Sequence, residues 1–407
     1  MGRTFLNITS EIGKLKAVLL HRPGKEIENL VPEYLERLLF DDIPYLKIAQ
    51  QEHDGFAKVL EENGAHVYYI EKLVEEVLGD DKLRADFIKA FLEESDIQSE
   101  NIKNVLLDYL SSLSISELVS TLISGIRKKN LPEILQQKIP NTTDDKYMFY
   151  IDPIPNLYFT RDIGAAIGTG LTINKMKTKA RKRETMFLRL IYDNHPIFKN
   201  TDTPVWYSRE MPYSIEGGDE LVLSSKAIAI GCSERTSIDA IRIVAKNVFK
   251  YGGFNKVLIF DIPKCRAFMH LDTVFTMVDV NKFTIHPGIE GPLNIYIVTP
   301  DGKGDIKIKS QTDTLEHILE HELDLDSVDL IRCGGGDPIV AAREQWNDGS
   351  NTLAIAPGRV ITYERNYVSN ELLSKHGIKV LTIASSELSR GRGGPRCMSM
   401  PLIRENV

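Results

Sequence analysis

Positions 15–20 form a short apolar run that ends at His21-Arg22-Pro23-Gly24, and a run bounded this way reads as a buried strand feeding a turn. A helix is predicted over 46–63, closed by Gly64 as a C-cap. Residues 67–70, Val-Tyr-Tyr-Ile, read as a second strand, giving the strand, helix, strand order of an α/β unit. From about 72 to 140 the pattern changes. Leu83, Phe87, Ile88 and Phe91 share one helical face, as do Ile102, Val105, Leu106, Tyr109 and Leu110. Leu118, Val119, Leu122 and Ile126 make a third such face; Ser114 and Glu117 stand ahead of it at capping-box spacing, and Lys128-Lys129-Asn130 end it. This block reads as an all-helical insertion whose stripes are packing surfaces. After Thr142-Thr143-Asp144-Asp145 the α/β pattern resumes, with strands predicted at 221–223, 227–230, 256–260, 275–278, 293–298, 353–356, 360–363 and 380–383. Glu216-Gly217-Gly218-Asp219 and Gly334-Gly335-Gly336-Asp337 echo each other, each ahead of a candidate apolar strand, a faint sign of an internal repeat.

Composition narrows the class without choosing a chemistry. The 407 residues are 42% hydrophobic and 26% charged, as in an ordinary soluble globular protein of one or two domains. The net charge of -7, with no basic run carrying interleaved aromatics, argues against nucleic acid and anionic membrane as partners. No apolar stretch approaches the roughly 18 residues of a membrane span, and Met1-Gly2-Arg3-Thr4-Phe5-Leu6 does not read as the start of a signal peptide. Cys232, Cys265, Cys333 and Cys397 are far apart with no CxxC pairing, which fits a reducing cytoplasm and neither a disulfide framework nor a structural zinc site.

The densest chemistry lies near the C-terminus, in Gly391-Arg392-Gly393-Gly394-Pro395-Arg396-Cys397-Met398-Ser399-Met400-Pro401. Three glycines and a proline give a loop of unusual backbone freedom, and a substrate can approach a thiolate at its end closely. A lone cysteine followed by methionine is more often a small buried apolar residue. Earlier segments supply acids. In Asn156-Leu157-Tyr158-Phe159-Thr160-Arg161-Asp162 an extended backbone would put Tyr158, Thr160 and Asp162 on one side. Glu216 and Asp219 flank two glycines, which form either a plain turn or a place for close ligand approach. His270-Leu271-Asp272 has the i, i+2 spacing that aims both side chains to one face of a strand, and histidine is the natural proton shuttle near neutral pH. His270, Asp272 and His286 also make a conceivable metal set, but no HExxH or similar helical pair supports it. A substrate attacked by a thiolate among carboxylates should be cationic. A guanidinium fits, being planar, always charged and able to give paired N–H bonds to carboxylates.

With these residues in hand, the sequence resembles the arginine deiminase family. The resemblance rests on Leu19-Leu20-His21-Arg22-Pro23-Gly24, 156–162, 216–219, 270–272 and 391–401, in that order, with the helical block where the family has one. It implies a five-bladed α/β propeller of pseudo-fivefold symmetry, formed by 1–71 and 141–407 and interrupted by the helical insertion 72–140. It further implies hydrolysis of L-arginine to L-citrulline and ammonia, with no metal or cofactor, in the cytoplasm, by a homo-oligomer (dimer or tetramer). By the resemblance Cys397 is the nucleophile, Asp162 and Asp272 hold the guanidinium, and Glu216 and His270 manage protons. Asn156, Phe159 and Asp219 would line the pocket. Arg235 and Arg392 would grip the substrate carboxylate, with Arg181 or Arg183 as a third arginine; the spacing favours Arg181. Arg396 receives no role. Agmatine or another guanidino compound as substrate, or guanidinium binding without turnover, are the alternatives.

Overall fold

The computed structural model describes residues 4–139, 147–290 and 293–407. Thr142-Thr143-Asp144-Asp145, after which the α/β pattern is expected to resume, the boundary between 140 and 141, and residues 1–3 lie outside the described residues.

Five sheets repeat one pattern: a central strand runs antiparallel to one neighbour and parallel to another, and a helix lies on the path to the parallel partner. Leu15–Leu20 lies between Met400–Arg404 and His66–Tyr69, across the helix Leu46–Glu62. Gly170–Ile173 lies between Gly164–Ile167 and Val205–Tyr207, across Glu184–Asn194. Ala227–Cys232 lies between Glu220–Val222 and Lys256–Asp261, across Ile238–Tyr251, and Asn294–Pro300 and Ile306–Gln311 widen this sheet. Lys282–Ile285 lies between Phe275–Asp279 and Asp329–Arg332, across Leu315–Leu323. Arg359–Tyr363 lies between Leu353–Ala356 and Lys379–Ile383, across Tyr367–Lys375. Parallel neighbours demand a crossover, and an amphipathic helix meets that need while covering a sheet face. Central strands are accordingly apolar on both faces, as with the buried Ile228, Ala229 and Ile230, or Val360 and Ile361. The pairing of Met400–Arg404 with Leu15–Leu20 joins the two ends of the chain in one sheet and sets Cys397 beside it.

The helical block consists of Ile70–Val77, Asp81–Glu93, Glu100–Ser111 and Ile115–Ser124. Asp80, Ser99 and Ser114 cap the last three, and Ser114 with Glu117 forms the full capping box. The stripes do pack: Phe87 and Phe91 meet Phe187 at ring distances of 5.8 and 5.9 Å.

Four expectations need correcting. Ile70 is not strand but starts a helix directly after Tyr69. The helix expected to end at 128–130 stops at Ser124, since Gly125 turns to φ +76° and a Cβ there would meet backbone atoms of 151–153. Ile126 then pairs with Ile151 in a separate two-stranded ladder. Finally, the run after Asp337 is helix Pro338–Trp346, with Asp337 as N-cap and proline at the first position. The two glycine-acid motifs therefore sit at unlike places, one leading into the first strand of its sheet and the other following a last strand. The repeat lies in the strand pattern instead.

Candidate active site

Cys397 lies on the turn just before the closing strand, buried but not sealed in hydrocarbon. Its amide donates to Asn351 Oδ1 at 3.0 Å and its carbonyl accepts from the Arg161 amide at 3.1 Å. Its thiol stands 3.7 Å from Asp272 Oδ2. The preceding glycines have a different reason from the one expected. None of Gly391, Gly393 and Gly394 has positive φ; that conformation falls on Arg392, at +63°. A Cβ on Gly391 would run into the Tyr158 hydroxyl, one on Gly393 into the Phe159 ring, and one on Gly394 into Asn351. The glycines are there for close packing against the pocket wall. Gly393→Ala should push Phe159 aside and lower any turnover at this pocket about a hundredfold with the circular dichroism unchanged, since small misplacements near reacting atoms cost that much.

The acidic motifs converge here, but as tight turns. Pro155–Tyr158, Gly217–Asp219 and Leu271–Thr273 are 3₁₀ turns, not extended segments. His270 is extended just ahead of its turn and Asp272 lies within it, so the alternation of a continuous strand does not hold, and the two side chains meet different partners. His270 meets Glu216, Nε2 to Oε2 at 2.8 Å, and faces Asp162 Oδ1 across 3.7 Å. Asp272 instead faces the sulfur. One of its oxygens, Oδ2, accepts from Arg396 Nη1 at 2.7 Å, while buried Oδ1 has no hydrogen-bond partner among the described residues. Arg396, given no role from the sequence, thus anchors one oxygen of that carboxylate and leaves the other unpaired; Glu11 at 3.0 Å holds the far side of the guanidinium.

Asn156, Phe159, Asp162, Arg181, Arg235, His270, Arg392 and Cys397 line a common cleft, with Leu39, Asp41 and Arg266 at its rim. Arg181 sits there with Nη1 2.6 Å from Asp162, whereas Arg183 lines a separate cavity of about 660 Å³ beside the helical block. Arg235 reaches Glu216 at 3.3 Å. Glu216, Asp219 and Asp272 are not on that cleft's wall: Glu216 and Asp272 touch it through His270 and Cys397, and Asp219 braces the turns, accepting from the Leu271 amide at 2.8 Å and from Ser233 Oγ at 2.6 Å. His286 lies apart, accepting from Gly288. The described residues that approach one another closely enough to share a metal ion are Asp162, Glu216 and His270, whose carboxylates are already engaged by Arg181 and Arg235.

The charges are strongly coupled. Burial, then Asp272 and Asp162, push the Cys397 thiol well above its ordinary value. Burial works against charge on His270, yet Asp162 and Glu216 raise its pKa to about 9. Glu216 falls to about 2 despite burial, because Arg235 and His270 face it. The resting pair is therefore imidazolium and carboxylate beside a protonated thiol. Sequence reasoning missed Asn351, Arg396 and Glu11; Asn351 and Glu11 are far from the motifs along the chain, and only Arg396 had a local signal, its place beside Cys397.

A profile of the family described as Arginine deiminase matches residues 36–404. The chain belongs to the arginine deiminase family. Among its relatives are the arginine deiminases of Clostridium perfringens (strain SM101 / Type A), 53% identical over 99% of this chain and 98% of the relative, and of Bacillus thuringiensis subsp. konkukian (strain 97-27), 54% identical over 99% of each. That of Latilactobacillus sakei is 53% identical, again over 99% of each. Solved structures at low identity share the α/β fold. An amidinotransferase from Microseira wollei aligns with TM-score 0.57 at 13% identity over 99% of this chain and 98% of that one. A dimethylarginine dimethylaminohydrolase from Pseudomonas aeruginosa, a cysteine-to-serine mutant complexed with citrulline, aligns with TM-score 0.52 at 13% identity over 95% and 99%.

Proposed function

We propose that this chain hydrolyses L-arginine to L-citrulline and ammonia through a covalent thiouronium on Cys397. The observation that carries this reading is a cleft lined by Cys397, Asp162, His270 and arginines that suit a substrate carboxylate, with Asp272 facing the thiol and Glu216 paired to His270. Asp162 and the open oxygen of Asp272 receive the guanidinium N–H groups, which turns an encounter into a positioned reaction. Cys397 attacks the central carbon, its proton passing to Asp272. His270, already charged, gives its proton to one amino group of the tetrahedral adduct; the C–N bond breaks, ammonia leaves and a cationic thiouronium remains. Neutral His270, or Glu216, then takes a proton from water as that water attacks the same carbon. On collapse to the C=O of citrulline the C–S bond breaks, the departing sulfur takes back the proton held by Asp272, and the hydroxyl proton passes to solvent, which returns the thiol. Agmatine, which keeps the guanidinium and the amine but has hydrogen in place of the carboxylate, fits less well opposite Arg235 and Arg392. The deciding assay is release of citrulline and ammonia from L-arginine run beside agmatine.

A thiol held protonated by neighbouring carboxylates needs a reason to ionise, and an arriving guanidinium supplies one by reversing the local sign of charge. Alkylation of Cys397 across pH, followed at that residue by mass spectrometry, should show a lower apparent thiol pKa with a non-reactive guanidinium ligand that leaves the sulfur open. An unchanged profile refutes substrate activation of the thiol.

Five copies of one strand pattern, with the chain ends joined in a sheet, support a five-bladed propeller of pseudo-fivefold symmetry, built from 1–71 and 141–407 and interrupted by 72–140. A cytoplasmic homo-oligomer completes the proposal; four free cysteines support a reducing compartment, and no described helix is long and apolar enough to cross a membrane.

A further inference from the structure

We propose that Trp346 is a positioning residue for L-arginine, acting by holding the Arg392 guanidinium flat at the mouth of the cleft. This rests on the deiminase reading above. The Arg392 Cζ lies 3.7 Å from the centre of the Trp346 ring. Arg392 is buried, yet among the described residues its Nε and Nη1 have no hydrogen-bond partner. Its backbone is held at φ +63°, a conformation that an L-residue adopts only when its surroundings impose it. The other arginines of the cleft already spend donors on carboxylates: Arg181 on Asp162 and Glu184, Arg235 on Glu216, and Arg266 on Asp41. Arg392 is fixed differently, through its face. Stacking on an indole uses the π surface of a guanidinium and leaves the in-plane N–H edge unspent for an incoming carboxylate. Because Trp346 is itself 54% exposed, its ring is the outer wall that keeps water from one face of Arg392. The loop after it reinforces the arrangement: Asn351 holds the Cys397 amide at 3.0 Å, so one short segment positions both the sulfur and the carboxylate grip.

The test compares L-arginine with agmatine, the same guanidinium without a carboxylate. Wild-type turnover of L-arginine is measured first; if it is absent, the deiminase reading itself fails. Given that turnover, Trp346→Leu should raise KM for L-arginine about tenfold, the worth of a desolvated cation–π contact, with kcat within about twofold. The inhibition constant of agmatine, read by competition against L-arginine, should stay within about twofold. Trp346→Phe, which keeps a smaller ring, should fall between. In an Arg392→Lys background, Trp346→Leu should add almost nothing. An unchanged KM, or equal weakening of L-arginine and agmatine, overturns the inference while leaving the deiminase reading intact. If Trp346→Leu does not fold, Trp346→Phe decides by the same two criteria.

Discussion

Cys397→Ser should lower turnover of L-arginine by at least about 10⁴-fold while arginine binding stays measurable by calorimetry, because serine keeps the shape of the site but is a far poorer nucleophile. The pocket gives the reason for separating the two effects. On the proposed reading, binding would rest on groups that the substitution leaves in place: Asp162 and Asp272 for the guanidinium, and Arg392 for the carboxylate. The backbone bonds of residue 397, to Asn351 and Arg161, do not depend on the sulfur. Turnover equal to wild type would make Cys397 a mere packing residue and remove the covalent mechanism. Loss of binding along with turnover would instead mean that the sulfur helps to shape the cleft.

His270→Asn should lower kcat about 10³-fold, within the usual range for a positioned acid and base, and should also change how stability depends on pH. Its pKa stands at about 9 in the folded chain, above its ordinary value near 6.5. A raised folded pKa means that the charged form stabilises the fold. That contribution is complete below about pH 6.5 and fades as pH rises through about 9. Urea unfolding should therefore show wild type losing stability between those limits more steeply than the variant. His21, raised to about 10 by Glu71 and Glu26 against the effect of burial, loses charge over an overlapping window, but it does so in both proteins. The difference between the two curves isolates His270. Glu216 adds the opposite slope on the acid side: its contribution holds above the ordinary carboxylate range and is lost as pH falls through about 2. Parallel curves between pH 6.5 and 9 would show that His270 is not charged in the folded chain.

Much of the scaffold was legible in local pattern. The strand at Leu15–Leu20, the helix beginning at Leu46, the capping box at Ser114 and the strand at Leu353–Ala356 all lie where period and punctuation put them. The hairpin 164–173 carries no such mark: both of its strands are buried on both faces, so polar and apolar positions do not alternate. The site motifs misled in a consistent way. A 3₁₀ turn of three or four residues is too short to show any period. At 217–219 and 271–273 the turn is held by contacts from elsewhere, as when Asp219 accepts from the Leu271 amide.

By itself, the sequence determined that strands alternate with helices, that a helical block interrupts them, and that a cysteine, a histidine and several acids stand in a family's order. Local burial patterns and residue types carry that information. Only the tertiary structure decided which acid faces the sulfur, that Arg396 anchors Asp272, that Asn351 holds the Cys397 amide, and that Arg392 lies on Trp346. Apart from the turn carrying Cys397 and Arg396, those partners are tens to hundreds of residues apart. They meet because separate sheets pack together, and hydrophobic period records which side of an element is buried, not which distant element covers it.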